Sequence, residues 1–193
     1  MPAHRIVLLA FSKYFHTLFT SRGANHANQE IVLTDLTALG LEGAIDSTYT
    51  GAIELSGSII REVLAAASYF QMEKLEIVCG EYLLYQLSCS TCLFAHAIAE
   101  HFNLLDVMTE CEIFISENFL DVAETDEFKE LSPERLMRFL KNDHLQVGSV
   151  EKLAKAVTSW AEHDQAIRGM FVAELLEAVS FEKIDPAGEI EGK

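Results

Sequence analysis

From Ser58 onwards the sequence is a succession of short amphipathic helical patterns, and this succession restricts the fold more than any other feature of the chain. The first apolar stripe recurs at helical spacing through Ile59, Ile60, Val63, Leu64 and Ala67. Further helices are predicted over about 90–98, 104–119 and 169–179, and Ser132-Pro133-Glu134 and Ser149 mark two more helix starts. Because short amphipathic helices cannot bury their stripes alone, we expect them to stack as helical hairpins.

The first 57 residues mix helical and strand patterns. Ser12 is predicted to cap a helix, and residues 36–49 form a second helical pattern that Gly51 closes. The helix after Ser12 carries on one face Tyr14, Phe15, Leu18 and Phe19. Residues 30–34 are β-branched and residues 52–56 alternate in polarity, so both segments are predicted to be strands.

The charge of the chain excludes several classes of partner. The chain has 30 acidic and 14 basic side chains and a formal net charge of -16. Such a chain repels nucleic-acid phosphates and anionic membrane surfaces. Half of its residues are hydrophobic, which argues against intrinsic disorder, and its apolar runs are too short to span a bilayer. The net charge is -4 over residues 1–85 and -12 over residues 86–193.

The sequence offers no constellation typical of an enzyme. It contains no glycine-rich phosphate loop, no nucleophile elbow and no zinc-binding histidine pair. Cys89 and Cys92 have the spacing of a metal or redox motif, but a zinc site needs about four ligands and no second pair follows. His96 and His101 are five residues apart and do not share a helical face. We therefore predict a protein that is not an enzyme and has no cofactor. Because Met1-Pro2-Ala3-His4 does not resemble the start of a secretory signal, we also expect reduced thiols and an intracellular protein.

The first part of the chain resembles a BTB/POZ domain. The resemblance begins at Pro2-Ala3-His4-Arg5 and continues through Phe11-Ser12-Lys13-Tyr14-Phe15. Thr48-Tyr49-Thr50-Gly51 is similar to the tyrosine-threonine-glycine turn of that family, and Tyr69-Phe70-Gln71-Met72 to its closing helices. His4, Arg5, Tyr49 and Gly51 are the signature positions. The family's first helix and strand would precede this segment, so we expect residues 1–85 to form an α+β BTB/POZ domain that is incomplete at its N-terminus.

The second part of the chain resembles a BACK domain, the helical module that follows the BTB domain in kelch-like proteins. The residues that carry this resemblance include Cys92-Leu93, Ala99-Glu100, Asn118-Phe119, Trp160 and Arg168. We expect an all-α BACK domain of stacked helical hairpins over residues 86–181 and an acidic tail over residues 182–193.

The resemblance implies a role in protein interaction. Kelch-like proteins are substrate adaptors of cullin-3 RING ubiquitin ligases, and they dimerise through their BTB domains. The resemblance therefore implies an adaptor that binds cullin-3 and forms homo- or heterodimers, in the cytoplasm or also in the nucleus. The charge of the chain already argues against nucleic acid and membrane as partners. Aromatic residues on the helix after Ser12 are the candidates for the cullin-facing surface: Tyr14, Phe15 and Phe19. The alternative for the same three residues is a helical stripe that faces the core. Of these, Tyr14 is expected to be more exposed than Phe15.

The sequence departs from the family at the motif that anchors cullin. The family's hydrophobic-x-Glu motif falls on Gly23, Ala24 and Asn25, which supply neither the apolar anchor nor the acid. The alternative function is a scaffold outside the ligase, or a partner that pairs with full-length BTB proteins and inhibits them. In addition, we expect the purified chain to self-associate, because the absent elements would leave apolar surface uncovered.

Overall fold

The computed structural model describes residues 3–21, 33–142, 144–145, 147 and 149–178. The chain divides into two compact units, an N-terminal unit of Met1–Tyr85 and a C-terminal unit of Gln86–Lys193. In the described part of the N-terminal unit, the α-helices are α1 (Arg5–Phe11), α2 (Lys13–Ser21), α3 (Ala38–Thr50), α4 (Ile60–Tyr69) and α5 (Glu73–Tyr85).

Two helix ends in the N-terminal unit lie where the sequence predicts them, the start of α2 and the end of α3. The Phe15 N–H donates to the Ser12 side-chain oxygen at 3.1 Å, so Ser12 caps α2 as predicted. Thr37 caps α3 by accepting from the Gly40 N–H at 3.1 Å. Gly51 ends α3 with a φ of 69°, the left-handed conformation that glycine adopts without steric cost.

The core of the N-terminal unit is built around α4. The α4 side chains with no exposed surface are Ile60, Val63, Leu64, Ala66 and Ala67. This helix packs between α3 and α5. Gly40 is required at the α3–α4 contact, because a Cβ there would overlap the Glu62 carbonyl oxygen. The apolar stripe predicted from the sequence is therefore the face that α4 buries.

The strands expected for an α+β domain are not formed among the described residues. Residues 52–56 alternate in burial as predicted, with Ile53 and Leu55 half-buried. No described segment pairs with them, however, and a strand needs the backbone of a neighbour. Residues 30–32 lie outside the described part of the chain, and the next two residues of that predicted strand, 33 and 34, are not in a strand.

The described part of the C-terminal unit consists of short helices, as predicted. They are α6 (Cys92–His101), α7 (Leu105–Glu117), α8 (Phe119–Ala123), α9 (Asp126–Lys129), α10 (Pro133–Leu140), α11 (Val150–Glu162), α12 (Gln165–Arg168) and α13 (Val172–Glu177), with a 3-10 turn over Gly169–Phe171. The helices α6 and α7 pack against each other as a hairpin. The predicted tail, 182–193, and the last residue of the predicted helix 169–179 lie outside the described residues.

Two predicted helix starts have different outcomes. Ser132 caps α10 by accepting from the Arg135 N–H at 3.3 Å, with Pro133 in the first turn, which confirms the predicted start. Ser149 does precede α11, but its side chain makes no capping hydrogen bond. The start of α11 therefore does not depend on a side-chain cap at that position.

Trp160 is the centre of the C-terminal core. Its side chain is fully buried, and its indole N–H donates to the Leu131 carbonyl oxygen at 2.9 Å. The guanidinium of Arg168 lies 4.7 Å from the centroid of the indole ring. This guanidinium also donates to the carbonyl oxygens of Lys129 and Trp160. These contacts tie α11 and α12 to the segment that joins α9 and α10.

No helix in the described ranges is both long enough and apolar enough to cross a bilayer.

Candidate functional site

The aromatic residues of α2 pack on two buried rings, Phe15 and Phe70, which we call the aromatic base. Phe15 is only 4% exposed, and its ring stacks on Phe70 at a centroid distance of 4.8 Å. Phe19, one helical turn later and half-buried, stacks on Phe15 at 5.7 Å. Phe70 is fully buried. Of the predicted site residues, Phe15 is therefore a core residue that supports the surface, while Phe19 reaches the solvent.

Tyr14 lies at the rim of this base. It is half-buried, and its ring is 5.3 Å from Tyr69 and 5.8 Å from Phe70. Tyr69 is 39% exposed. Side-chain hydrogen bonding with Tyr14 raises the pKa of Tyr69, and the charge of Tyr14, burial and Asp35 act in the same direction. We use the name α2 surface for Tyr14, Phe19 and Tyr69.

A buried hydroxyl positions the α2 surface on the unit. The Ser12 hydroxyl donates to the Phe70 carbonyl oxygen at 2.6 Å while its oxygen caps α2. The Tyr14 N–H donates to the same carbonyl oxygen at 3.4 Å. The start of α2 and the end of α4 are therefore joined through backbone atoms. Side-chain packing alone would hold them less rigidly.

Two of the signature residues, His4 and Arg5, connect the start of α1 to α3 and α2. The His4 N–H donates to the Tyr49 hydroxyl at 2.6 Å, and the two rings are 5.9 Å apart. Arg5 forms no ion pair within the described part of the chain, but its guanidinium lies 4.5 Å from the Phe19 ring centroid. The structure thus brings Arg5 to the α2 surface and His4 to the end of α3, beside Gly51.

The three residues at the cullin-anchoring motif, Gly23, Ala24 and Asn25, lie outside the described residues. Sequence reasoning did not identify Tyr69 or Phe70 as partners of α2. They are more than fifty positions away in the chain, and the sequence singled them out only through the resemblance of Tyr69-Phe70-Gln71-Met72 to the closing helices of the family.

A second cluster of polar side chains surrounds His96 in the C-terminal unit. The imidazole is fully buried between α6, α7 and α10. Its Nε2 is 3.2 Å from a Glu112 carboxylate oxygen, and its Nδ1 is 3.0 Å from Arg135. Arg138 lies 3.0 Å from Nε2 and also pairs with Glu100 at 2.6 Å. His96 is thus a hydrogen-bonded core histidine.

The His96 cluster requires the neutral imidazole. Nδ1 faces the guanidinium of Arg135, which can only donate, so Nδ1 must accept and cannot carry a proton. Nε2 lies within hydrogen-bond distance of both the Glu112 carboxylate, which can accept from it, and the Arg138 guanidinium, which can only donate to it. Burial lowers the pKa of His96; Arg138 and Arg135 lower it further, against the opposing effect of Glu112. The cluster has two guanidiniums and two carboxylates around a neutral ring. It joins the three helices α6, α7 and α10.

The cysteines do not form a reactive or metal-binding site within the described residues. Burial raises the pKa of Cys79 and of Cys92 to about 12 and that of Cys111 to about 11. Cys89 is half-buried, and all four thiols are free. No group of three or more potential ligands that could hold a metal occurs among the residues that the structure describes.

Comparisons with known proteins match each unit to a domain family. The family model for the BTB/POZ domain matches residues 1–87, and the model described as BTB And C-terminal Kelch, or BACK, matches residues 92–188. The Rattus norvegicus protein named Kelch-like protein 2 is 31% identical over 179 residues, which are 93% of this chain and 30% of that protein. The Homo sapiens protein named Kelch-like protein 26 is 35% identical over 168 residues, 86% of this chain and 27% of that protein.

A third relative has kelch repeats in its name. The Homo sapiens Kelch repeat and BTB domain-containing protein 12 is 29% identical over 187 residues, which are 96% of this chain and 30% of that protein. The chain thus spans about a third or less of the length of these curated relatives.

Proposed function

The chain belongs to the BTB–BACK family of kelch-like proteins, and on that premise we propose that it is a protein-interaction adaptor that binds cullin-3 of a RING ubiquitin ligase. The α2 surface is the observation that supports this proposal most directly. It presents three half-exposed aromatic rings on a base, Phe15 and Phe70, that is already packed in the free protein. Aromatic anchors of this kind dominate the energy of protein interfaces, and a preformed base lowers the entropy lost on binding.

The mechanism that we propose is positional. The α2 surface would dock on a helical partner such as the N-terminal region of cullin-3. The phenol hydroxyls of Tyr14 and Tyr69 would stay at the rim, where they can hydrogen-bond to the partner or to water. Arg5, stacked on Phe19, adds a cation beside the aromatic rings. No bond chemistry is required of the chain, because an adaptor acts by bringing a substrate close to the ligase.

The test is a titration of the purified chain with the N-terminal region of cullin-3, followed by calorimetry or fluorescence anisotropy. We expect micromolar or tighter binding. Tyr14→Ala and Tyr69→Ala should each weaken it by about tenfold or more. His16→Ala, an exposed position on the same helix, is the matched control and should leave the affinity unchanged. No binding at micromolar concentrations would contradict the adaptor function.

The second candidate is a scaffold outside the ligase that pairs with other BTB proteins. Gly23, Ala24 and Asn25 supply neither the apolar side chain nor the acid of the family motif, and this favours it. The distinguishing experiment mixes the labelled chain with the BTB domain of Kelch-like protein 2 and, separately, with cullin-3, in sedimentation velocity runs. A complex with the BTB domain alone would support the scaffold, and a complex with cullin-3 would support the adaptor.

A further inference from the structure

An apolar groove of about 250 Å³ opens on the N-terminal unit, and the α2 surface contributes no residue to it. It lies between the last residue of α1, the end of α3 and the first turns of α5. Its apolar lining consists of Phe11, Ala52, Ile53, Met72, Leu75 and Val78. All of these residues belong to one compact unit, so the groove is a property of that unit alone.

The lining of the groove can receive an apolar group but offers little to a polar one. Two hydroxyls line it, and both donate to backbone carbonyls of their own helix: Ser47 to Ala44 and Thr48 to Ile45, each at 2.7 Å. Phe11 and Val78 remain 44% and 42% exposed at its rim. An apolar ligand would therefore cover surface that the unit leaves in water.

The volume of the groove decides between two kinds of apolar ligand. Pockets for drug-sized molecules and cofactors are typically about 300–1,000 Å³. This groove is smaller and open at one side, so it suits one large side chain of a peptide better than a whole cofactor.

Lys74 places a positive charge at the rim of the groove. Its ammonium has no carboxylate within ion-pair distance in the described part of the chain. Helical neighbours cannot supply one, because the residues three and four positions later are Ile77 and Val78. The adjacent Glu73 is already paired with Lys13. In a chain of net charge -16, an unpaired cation beside an apolar groove favours a carboxylate on the ligand.

We propose that this groove, which we call the α5 groove, binds a peptide segment of a protein partner in which a large apolar side chain lies next to an Asp or Glu. The apolar side chain fills the space between Phe11, Leu75 and Val78, and the neighbouring carboxylate pairs with Lys74. This second docking site does not depend on cullin-3 binding. A second copy of the chain is the less favoured occupant, because each copy has the same large negative charge.

The probe is a library of random twelve-residue peptides displayed on phage and selected on the full chain, with synthetic fluorescent versions of the enriched peptides for titration. We expect the enriched peptides to share an apolar residue beside an acid. Val78→Asp should weaken their binding by about tenfold or more. Lys74→Glu should weaken it less, about three- to tenfold, and should remove most of its dependence on salt.

Control variants separate this site from the proposed function. Tyr14→Ala, in the α2 surface, should leave peptide binding unchanged, and Val78→Asp should leave cullin-3 binding unchanged. Phe11→Ser, at the other side of the groove, provides an independent variant, and circular dichroism melts establish that each variant is folded. The absence of an apolar–acidic consensus would overturn the proposal, as would peptides that bind Val78→Asp and Phe11→Ser with unchanged affinity. Self-association abolished by Val78→Asp, without peptide enrichment, would overturn it in favour of a second copy.

Discussion

Replacing His96 with Gln should remove a pH dependence from the stability of the C-terminal unit. The imidazole is fully buried, and one of its nitrogens must accept a hydrogen bond from Arg135. Glutamine keeps an amide donor for Glu112 and a carbonyl acceptor for the guanidinium, but it does not titrate. The variant therefore separates the titration of this side chain from most of its hydrogen bonding.

The direction of the effect follows from the lowered pKa of His96. In the unfolded chain the imidazole titrates at its ordinary pKa of 6.5, whereas in the folded unit it resists protonation. Stability is therefore fully present above pH 6.5 and falls as the pH drops below it, by up to about 1.4 kcal/mol per pH unit until the folded-state pKa is reached.

The titration of Glu100 and Asp126 lies outside the pH range in which His96 affects stability. Arg138 lowers the pKa of Glu100, first through a side-chain hydrogen bond, and Lys129 does the same for Asp126. Stability that depends on a carboxylate of lowered pKa is present above its ordinary value and is lost as the pH falls below it. The ordinary values here are 4.5 and 3.8, so these losses occur at a lower pH than that of His96.

The assay is urea unfolding between about pH 5 and pH 7.5, with the fluorescence of the chain's one tryptophan as the probe. Trp160 lies in the C-terminal core, so the signal reports on that unit. We expect His96→Gln to cost about 1–3 kcal/mol at pH 7.5 and to flatten the pH slope. His101→Gln, at an exposed position of the same helix, should keep the slope. An unchanged slope in His96→Gln, or wild-type stability that rises on acidification, would refute the reasoning.

Three further predictions concern packing and reactivity. Gly40→Ala should lower the free energy of unfolding of the N-terminal unit by about 1–3 kcal/mol, because the new Cβ overlaps a backbone carbonyl of α4; Gly57→Ala, with open space around it, is the control in the same thermal melts. Arg168→Lys should lower the melting temperature of the C-terminal unit and change its tryptophan fluorescence, since lysine keeps the charge but loses the planar contact with Trp160; an unaltered melt and spectrum would contradict that role. In native protein at pH 8, Cys89 should react with a maleimide before the three buried thiols, whose pKa values are raised to about 11 or 12; mass spectrometry of partly labelled protein checks the order.

Local signals in the sequence were sufficient for several helix ends. Ser12, Ser132 and Gly51 act within four residues of the backbone groups that they satisfy, so their roles could be predicted from neighbouring positions. The segment 121–130 was harder, because its many acids predict a solvated loop. The structure instead has two short helices there, and Phe128 within them is buried.

Contacts between distant parts of the chain could not be read from spacing. The α2 surface needs Tyr69 and Phe70, and the ring of His96 needs side chains from two other helices. The alternation of residues 52–56 predicts which side chains are half-buried, and it does so correctly. A strand also needs hydrogen bonds to the backbone of a neighbouring segment, and the alternation does not predict whether such a segment is present.

The hydrogen bond from the His4 N–H to the Tyr49 hydroxyl has a practical consequence for engineering the protein. It joins the start of α1 to the end of α3, two positions before Gly51, which borders the α5 groove. A tag or linker fused close to His4 would therefore begin near a contact that adjoins the groove. Peptide titrations of the groove call for protein from which an N-terminal tag has been removed.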